Sequence, residues 1–256
     1  MDDVYASKPW LKSYDRSVPH TLTYPRVTYP EYARDAFQKV PERAALYYMG
    51  KSITFRELDS LSNRFARFLI SHDCHAGDVV GVHLPNIPTC YIALLGIQKA
   101  GCVYTGINVL LTPGEIEYQL KDSGAKVLVT LDVFFAKVSP VVHKTEVKTI
   151  IAAAIADFLP ALKRTLGKLL HKIPSGKVTP VNGVSVTKFM DIVCNNRDDP
   201  PSVRISPEDP CLMMYTGGTT GPPKGAILTH NNIVHHMIQM REWVGLRVGE
   251  DLALSA

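Results

Sequence analysis

The chain has 256 residues, of which 46% are hydrophobic and 20% are charged, and its 28 basic and 24 acidic residues give a formal net charge of +4. This length allows one large domain or two ordinary ones, and the composition excludes disordered and fibrous proteins. The small positive charge is too weak to indicate nucleic-acid binding, so we expect no nucleic-acid partner.

Cysteines and apolar segments predict the compartment. The five cysteines are scattered, odd in number and never in a C-x-x-C pair, which indicates reduced thiols inside a cell. The acidic start MDDVYASKPWLK does not resemble a secretory signal, so we expect no export. The longest apolar run, 149–162, is interrupted by Asp157 and Pro160 and falls short of the ~20 residues of a spanning helix. We therefore expect a cytoplasmic protein.

Residues 1–30 contain four prolines among tyrosines and single charges, a composition that predicts an extended arm. Such an arm must lie on a surface, and a homodimer through the arm is one way to supply it. From Glu31, apolar residues recur at helical spacing until Pro41, which predicts a first helix. We interpret residues 31–256 as one large unit.

Strands and helices then alternate along the chain. Predicted strands cover 45–49, 79–84, 102–107 and 126–131. Three signals mark helix ends. Thr54 and Glu57 form a capping-box signature, and a helix at 89–100 ends before Gly101. Thr112 is a helix cap that is followed by a first-turn proline. This alternation predicts an α/β fold with mostly parallel sheets flanked by helices.

A basic amphipathic helix is predicted within residues 157–177. Its apolar side carries Phe158, Leu162, Leu166, Leu169, Leu170 and Ile173, and its basic residues are Lys163, Arg164, Lys168 and Lys172. Such a helix can make peripheral contact with an anionic membrane. We favour packing on its own protein, because most amphipathic surface helices do so. Residues 174–201 are interpreted as a surface loop ending in Asp-Asp-Pro-Pro.

The strongest functional pattern follows a predicted strand at 211–214. Three glycines allow backbone amides to approach a ligand closely, three threonines add hydroxyl donors, and one lysine adds a positive charge, which together suit a polyphosphate. The candidate residues are Thr216, Gly217, Gly218, Thr219, Thr220, Gly221 and Lys224. The alternative is a surface turn without function.

Two common nucleotide-binding patterns do not fit this loop. The P-loop requires a lysine followed by serine or threonine at a helix start, whereas Lys224 lies between Pro223 and Gly225. The dinucleotide pattern G-x-G-x-x-G fails because position 216 is threonine.

The segment YTGGTTGPPKGAILTHNN resembles the phosphate-binding signature of the adenylate-forming superfamily, which includes acyl-CoA synthetases, luciferases and peptide-synthetase adenylation domains. Gly217 stands where that signature commonly has serine, so one side-chain donor is lost. Other stretches resemble long-chain fatty-acid CoA ligases: KPWLKSY, SITFRELDSLSNRFARFL, GDVVGVHLPNIPTCYIALLGIQKAG, LTPGEIEYQLKDSGAKVLVT and IADFLPALKRTLGKLLHKIPSGKV. The resemblance narrows the expected substrate to a lipid-like acid.

The resemblance implies an enzyme that attacks the α-phosphate of ATP with a carboxylate and then transfers the acyl group to the thiol of coenzyme A, with magnesium accompanying ATP. Residues 216–221 would surround the β- and γ-phosphates, and Lys224, the one catalytic residue transferred, would neutralise the departing pyrophosphate. We assign no metal to His230, His235 or His236, since histidines in one helix without an acidic partner are usually structural.

Further parts of the family's site fall outside this sequence. The adenine-binding segment, the magnesium-binding acid, the ribose-binding aspartate and the C-terminal domain are not found in it. We interpret the final DLALSA as the start of a strand and expect the protein to continue beyond Ala256. The fragment alone would then be inactive. Two alternatives stay open: a non-catalytic nucleotide- or acyl-binding module, and a superfamily ligase for an aromatic or other carboxylic acid.

Overall fold

A computed structural model of the chain describes residues 5–170, 172–218, 221–247, 249–253 and 255. The strands are β1 (Ala44–Tyr48), β2 (Lys51–Thr54), β3 (Val79–His83), β4 (Val103–Gly106), β5 (Val127–Leu131), β6 (Thr149–Ala153), β7 (Ser185–Lys188), β8 (Pro210–Gly218) and β9 (Gly221–Thr229). The helices are α1 (Tyr29–Lys39), α2 (Phe55–Ser71), α3 (Pro88–Lys99), α4 (Pro113–Ser123), α5 (Phe135–Val142), α6 (Ala161–Leu169), α7 (Phe189–Asn195) and α8 (His230–Val244).

The centre of the fold is a seven-stranded sheet in the order β7-β6-β5-β3-β4-β8-β9. Every neighbouring pair is parallel except β8 and β9, which are antiparallel. Strands β3, β5 and β6 are buried along their whole length, because helices cover both faces of the sheet. The predicted α/β fold with a mostly parallel sheet is confirmed.

Two hydrophobic clusters occupy the two faces of this sheet. One joins Phe65 of α2 and Ile92 of α3 to Val80 and Val82 of β3. The other joins Ile116 of α4 and residues of α5 to the opposite face. Helices therefore hold the sheet on both sides, which fixes the carboxyl ends of the strands relative to one another.

Threonine capping boxes begin four of the helices. Those of Thr54 and Thr112 are as predicted, and Thr229 begins α8 in the same way. The first helix starts two residues before the predicted Glu31, because the Thr28 side chain accepts a hydrogen bond from the Glu31 amide and the Glu31 carboxylate accepts one from the Thr28 amide. The negative charge of Glu31 and the capping hydrogen bonds therefore both stabilise the start of this helix.

The N-terminal arm lies on helix α8 of its own chain. Residues 5–28 have no regular structure except a short 3-10 helix, Pro9–Ser13. The Tyr24 ring lies 4.1 Å from the His235 ring, and the Tyr24 hydroxyl accepts a hydrogen bond from Gln239 at 2.9 Å. Tyr14 packs edge-on against Trp243 at 5.0 Å. The arm thus finds its surface within one chain, and the homodimer stays a prediction.

The prediction that the basic amphipathic helix packs on its own protein is wrong. Helix α6 is shorter than the predicted segment, and its apolar side faces solvent, with Leu162 and Leu169 exposed by 72% and 73%. Phe158, which precedes the helix, is buried in the core. Placement of the Lys168 side chain lies outside the description. No helix in the described ranges is both long and apolar enough to span a membrane.

Three other segment interpretations need correction. The predicted surface loop at 174–201 contains strand β7 and helix α7, because Phe189 and Ile192 enter the core. The end of this segment is held by ion pairs from Arg64 to Asp198 and from Arg67 to Asp199.

Strands β2 and β6 were not predicted. In the predicted start of a strand at 251–256, residues 251–253 form no strand, and residues 254 and 256 lie outside the described residues. All five cysteines are free thiols, as expected.

Helices α2 and α3 approach closely at Gly96. A Cβ atom at this position would lie 2.7 Å from Phe65 Cδ1 and 2.8 Å from the Ser62 carbonyl oxygen. We expect Gly96→Ala to lower the free energy of unfolding by about 2 kcal/mol, because overpacking outweighs the better helix propensity of alanine. Urea denaturation measures this. Gly114→Ala, where nothing lies within 4 Å, is the control and should be neutral or stabilising. Equal stability of both variants would contradict the close approach.

Candidate functional site

The candidate residues lie in a long antiparallel hairpin formed by β8 and β9. Thr216 pairs with Lys224 and Gly218 with Gly221, with an irregularity between Thr216 and Gly218. Thr219 and Thr220, which join the two strands, lie outside the described residues. The prediction of a strand that leads into a glycine-rich loop is therefore wrong for residues 221–224, because they belong to the edge strand β9. An edge strand can contain prolines, which explains how 222 and 223 fit there.

Thr216 and Lys224 face each other across the hairpin. Cross-strand partners project from the same face of a sheet, so the hydroxyl and the ammonium group serve one surface. Both residues are exposed, and the Thr216 hydroxyl lies 3.5 Å from the Lys224 carbonyl oxygen, to which it donates. This arrangement leaves the Lys224 side chain accessible to an anion.

Glycines near the tip of the hairpin leave its backbone open. A Cβ atom at Gly217 or Gly221 would meet nothing within 4 Å. Gly221 has φ +142°, which other residues rarely adopt, so glycine is required there by conformation. At Gly217 neither conformation nor neighbouring atoms require glycine. The open backbone at both positions fits the expectation that a ligand approaches it closely.

Helix α4 holds the hairpin near its tip through two tyrosine hydroxyls. Tyr118 of α4 donates to the Pro223 carbonyl oxygen at 2.9 Å, and Tyr215 of β8 donates to Asp122 of α4 at 2.6 Å. Burial, reinforced by the hydrogen bond to the Asp122 carboxylate, raises the pKa of Tyr215, so this hydroxyl remains a donor. Sequence reasoning missed Tyr118 and Asp122. Their spacing of four residues places them on one helix face, but nothing in the sequence names their partners.

Tyr118→Phe tests this anchoring. We expect the variant to lose about 1 kcal/mol of unfolding free energy and to exchange the backbone amides of Gly221, Lys224 and Gly225 several-fold faster, because one hydrogen bond between α4 and β9 is removed. Hydrogen exchange with mass spectrometry measures both effects. Tyr91→Phe is the matched control, since its hydroxyl bonds Ser255 at the surface. Unchanged exchange in β9 of the Tyr118 variant would contradict the anchoring role.

Two of the three histidines of α8 have structural surroundings, and the third, His236, is exposed. His230 is buried, its Nδ1 accepts a hydrogen bond from the Tyr29 amide at 3.3 Å, and burial lowers its pKa. The His235 ring packs against the Tyr24 ring of the arm in a tilted arrangement. Among the described residues, no group of three or more His, Cys, Asp or Glu side chains could hold a metal ion.

A cleft between α1, α2 and α3 is a second polar region, with a volume of about 290 Å³. Its buried cation, Lys99, donates to Asp59, Ser62 and Asn63 at 2.7 Å each. Since these acceptors satisfy the ammonium group, we interpret this cluster as structural, and the hairpin remains the better candidate site.

The model of the family described as "AMP-binding enzyme" matches residues 33–255. A long-chain-fatty-acid–CoA ligase of Bacillus subtilis (strain 168) is 32% identical over 241 residues, which are 93% of this chain and 43% of that protein. One from Haemophilus influenzae is 35% identical over 251 residues, covering 93% of this chain and 42% of the relative. The chain thus spans less than half the length of these relatives.

Among solved structures, a long-chain-fatty-acid-CoA ligase from Archaeoglobus fulgidus is similar, with a TM-score of 0.71 at 24% identity over 91% of this chain and 42% of the other. At that identity the likeness concerns the fold alone.

Proposed function

The chain belongs to the AMP-binding enzyme family, and on that basis we propose that it forms the front part of an ATP-dependent ligase that joins a long-chain fatty acid to coenzyme A. Residues 31–256 would be an incomplete large N-terminal domain, with 1–30 as its arm. The names of relatives at 32% and 35% identity support the substrate class. The proposal depends mainly on the hairpin, because its open backbone and the exposed Lys224 suit a triphosphate.

The proposed reaction has two steps. A carboxylate oxygen of the fatty acid attacks the α-phosphorus of ATP, and the bond from this phosphorus to the pyrophosphate oxygen breaks. The sulfur of coenzyme A then attacks the acyl carbonyl carbon, AMP leaves, and the thiol proton passes to solvent. Magnesium, when bound with ATP, would neutralise phosphate charge.

This chain contributes to the first step. Amides of 216–221 would bind the β- and γ-phosphates, and the Lys224 ammonium would stabilise the charge that develops on pyrophosphate. The anchoring by Tyr118 and Asp122 would hold these groups in place before ATP arrives, which reduces the cost of ordering them.

Isotope exchange tests the proposal. The full-length ligase should incorporate labelled pyrophosphate into ATP only when a long-chain fatty acid is present, whereas residues 1–256 alone should not turn over. A panel with benzoate and amino acids separates the alternatives. Exchange with an aromatic acid alone would overturn the lipid substrate, and nucleotide binding without any exchange would indicate a non-catalytic module.

A further inference from the structure

A groove between the N-terminal arm and helix α8 is lined mainly by aromatic and apolar side chains. We call it the arm groove. The arm contributes Tyr14 and His20, and α8 contributes Met240, Glu242 and Trp243. Its volume of about 520 Å³ is typical of small-molecule sites. None of the described residues of the β8–β9 hairpin lines it, so the arm groove is separate from the proposed phosphate site.

Three of the lining rings meet at nearly right angles. The ring centroids of Tyr14 and Trp243 are 5.0 Å apart, with an angle of 89° between the ring planes. Those of Tyr14 and His20 are 6.1 Å apart, with an angle of 82°. Because the planes are perpendicular, the ring faces that border the arm groove point in different directions. A ligand in the groove can therefore contact aromatic surface on more than one side.

Two large side chains of α8 are open to solvent where they border the groove. Trp243 is 56% exposed and Met240 is 44% exposed. The contact with Tyr14 thus leaves more than half of the tryptophan uncovered. Among aromatic side chains, the face of tryptophan attracts cations most strongly, because of its electron distribution. A cation that covered this face would gain apolar contact and electrostatic attraction together.

The charged groups at the arm groove favour a cationic ligand over an anionic one. No lysine or arginine side chain in the described ranges lines the groove, whereas the carboxylate of Glu242 does. Arg241 donates to this carboxylate from Nε and Nη2, at 2.9 and 2.6 Å, and both hydrogen bonds end on Oε1. The second oxygen, Oε2, is therefore left to face a positive charge in the groove.

We propose that the arm groove binds a small quaternary ammonium cation of the choline type, with its methyl groups against Tyr14 and Trp243 and its charge beside Glu242. Aromatic rings recognise quaternary ammonium groups in this way, because the ring faces carry partial negative charge and the methyl groups are apolar. A neutral molecule of the same shape keeps the apolar contact but loses the electrostatic attraction. Comparing the two ligands therefore separates a cation site from a merely apolar groove.

Titration of the 256-residue chain with choline tests this site. In nitrogen–proton correlation spectra at about pH 7.5, where histidine is ordinarily neutral, the indole N–H signal of Trp243 should shift and saturate in the millimolar range. The indole signal of Trp10 is the internal reference, because Trp10 lies in the 3-10 helix and does not line the groove. Trp10→Phe assigns the two signals. Neohexanol, the uncharged carbon isostere of choline, should bind about tenfold more weakly.

Substitutions in the groove test the two parts of the attraction separately. Tyr14→Leu removes a ring and keeps apolar volume, so it should weaken choline binding about tenfold, whereas Tyr14→Phe should bind choline like the unchanged chain. Glu242→Gln removes only charge, so it should weaken choline binding several-fold and leave neohexanol binding unchanged. Tyr47→Leu is the matched control, because Tyr47 is 69% exposed on β1 and does not line the groove. An unmoved Trp10 signal in each variant verifies that the arm keeps its place.

Two results would overturn the proposal. One is equal affinity for choline and neohexanol, because the groove would then select apolar shape and not charge. The other is a Trp243 signal that choline moves no more than it moves the Trp10 signal, which a general salt effect would produce. Binding of ATP to the hairpin is measured independently, so neither result bears on the proposed ligase function.

Discussion

Replacing Lys224 with alanine in the full-length ligase is expected to weaken ATP binding by roughly tenfold to hundredfold. A hydrogen bond to a charged group contributes roughly 1.5–3 kcal/mol, which corresponds to that loss. Lys224 is exposed beside Thr216 on one face of the hairpin, so removing its side chain leaves no packing defect. Isothermal titration calorimetry with ATP measures the dissociation constant, and thermal denaturation verifies that the variant is folded.

Lys188→Ala is the matched control for this experiment. Lys188 is an exposed lysine at the end of β7, at the opposite edge of the sheet. It should leave the dissociation constant for ATP unchanged. If Lys224→Ala binds ATP as tightly as Lys188→Ala does, Lys224 does not contact the phosphates, and the proposed site is wrong.

The second large effect concerns His83, at the end of β3. His83 is fully buried, its Nδ1 lies 2.9 Å from the Thr130 hydroxyl oxygen, and its Nε2 has no hydrogen-bond partner among the described residues. Burial, with a smaller effect of the Lys137 charge, lowers the pKa of His83 to about 4. The unfolded chain has a histidine pKa of about 6.5, so it binds a proton in a pH range where the folded chain does not.

Stability from the neutral His83 is therefore present above about pH 6.5 and is lost as the pH falls towards 4. We expect this residue alone to cost about 2 kcal/mol of unfolding free energy between about pH 7 and about pH 5. Urea denaturation at several pH values should show this decline, and His83→Gln should flatten it. The remaining slope includes His230, whose pKa burial also lowers.

His75→Gln is the control for the pH experiment, because the His75 side chain is 74% exposed. The decline that His83→Gln removes should persist in this variant. A pH dependence that His83→Gln leaves as steep as before would show that His83 is not held neutral in the folded protein.

Local signals allowed much of the fold to be predicted. Capping boxes at Thr54 and Thr112 and the glycine after α3 define helix ends through bonds between neighbouring residues, so the sequence contains them directly. Strand β6 was missed because a short apolar run looks the same in a buried strand as in a buried helix. Helix α6 was predicted to be packed because its pattern is amphipathic, but periodicity does not reveal whether a partner surface exists.

For the site, the sequence suggested which residues bind phosphate, which stays a prediction, but not how the chain holds them. The glycines and the lysine of this segment led to the prediction of a site around Gly217 and Lys224. The hairpin itself depends on β9 pairing with β8, and the anchoring depends on Tyr118 meeting Pro223, more than a hundred positions later in the chain. Contacts at such separation follow from the whole topology, which local patterns do not specify.

Strand β9 is the last strand of the described sheet, and two consecutive prolines stand near its start. Successive residues of a strand direct their amide groups to opposite sides, so one of Pro222 and Pro223 removes a donor that would otherwise point outward. A foreign strand that approached this edge would find a gap in its hydrogen-bond ladder beside the hairpin tip. The prolines thereby protect the molecule against edge-to-edge aggregation at the place where its backbone is most open.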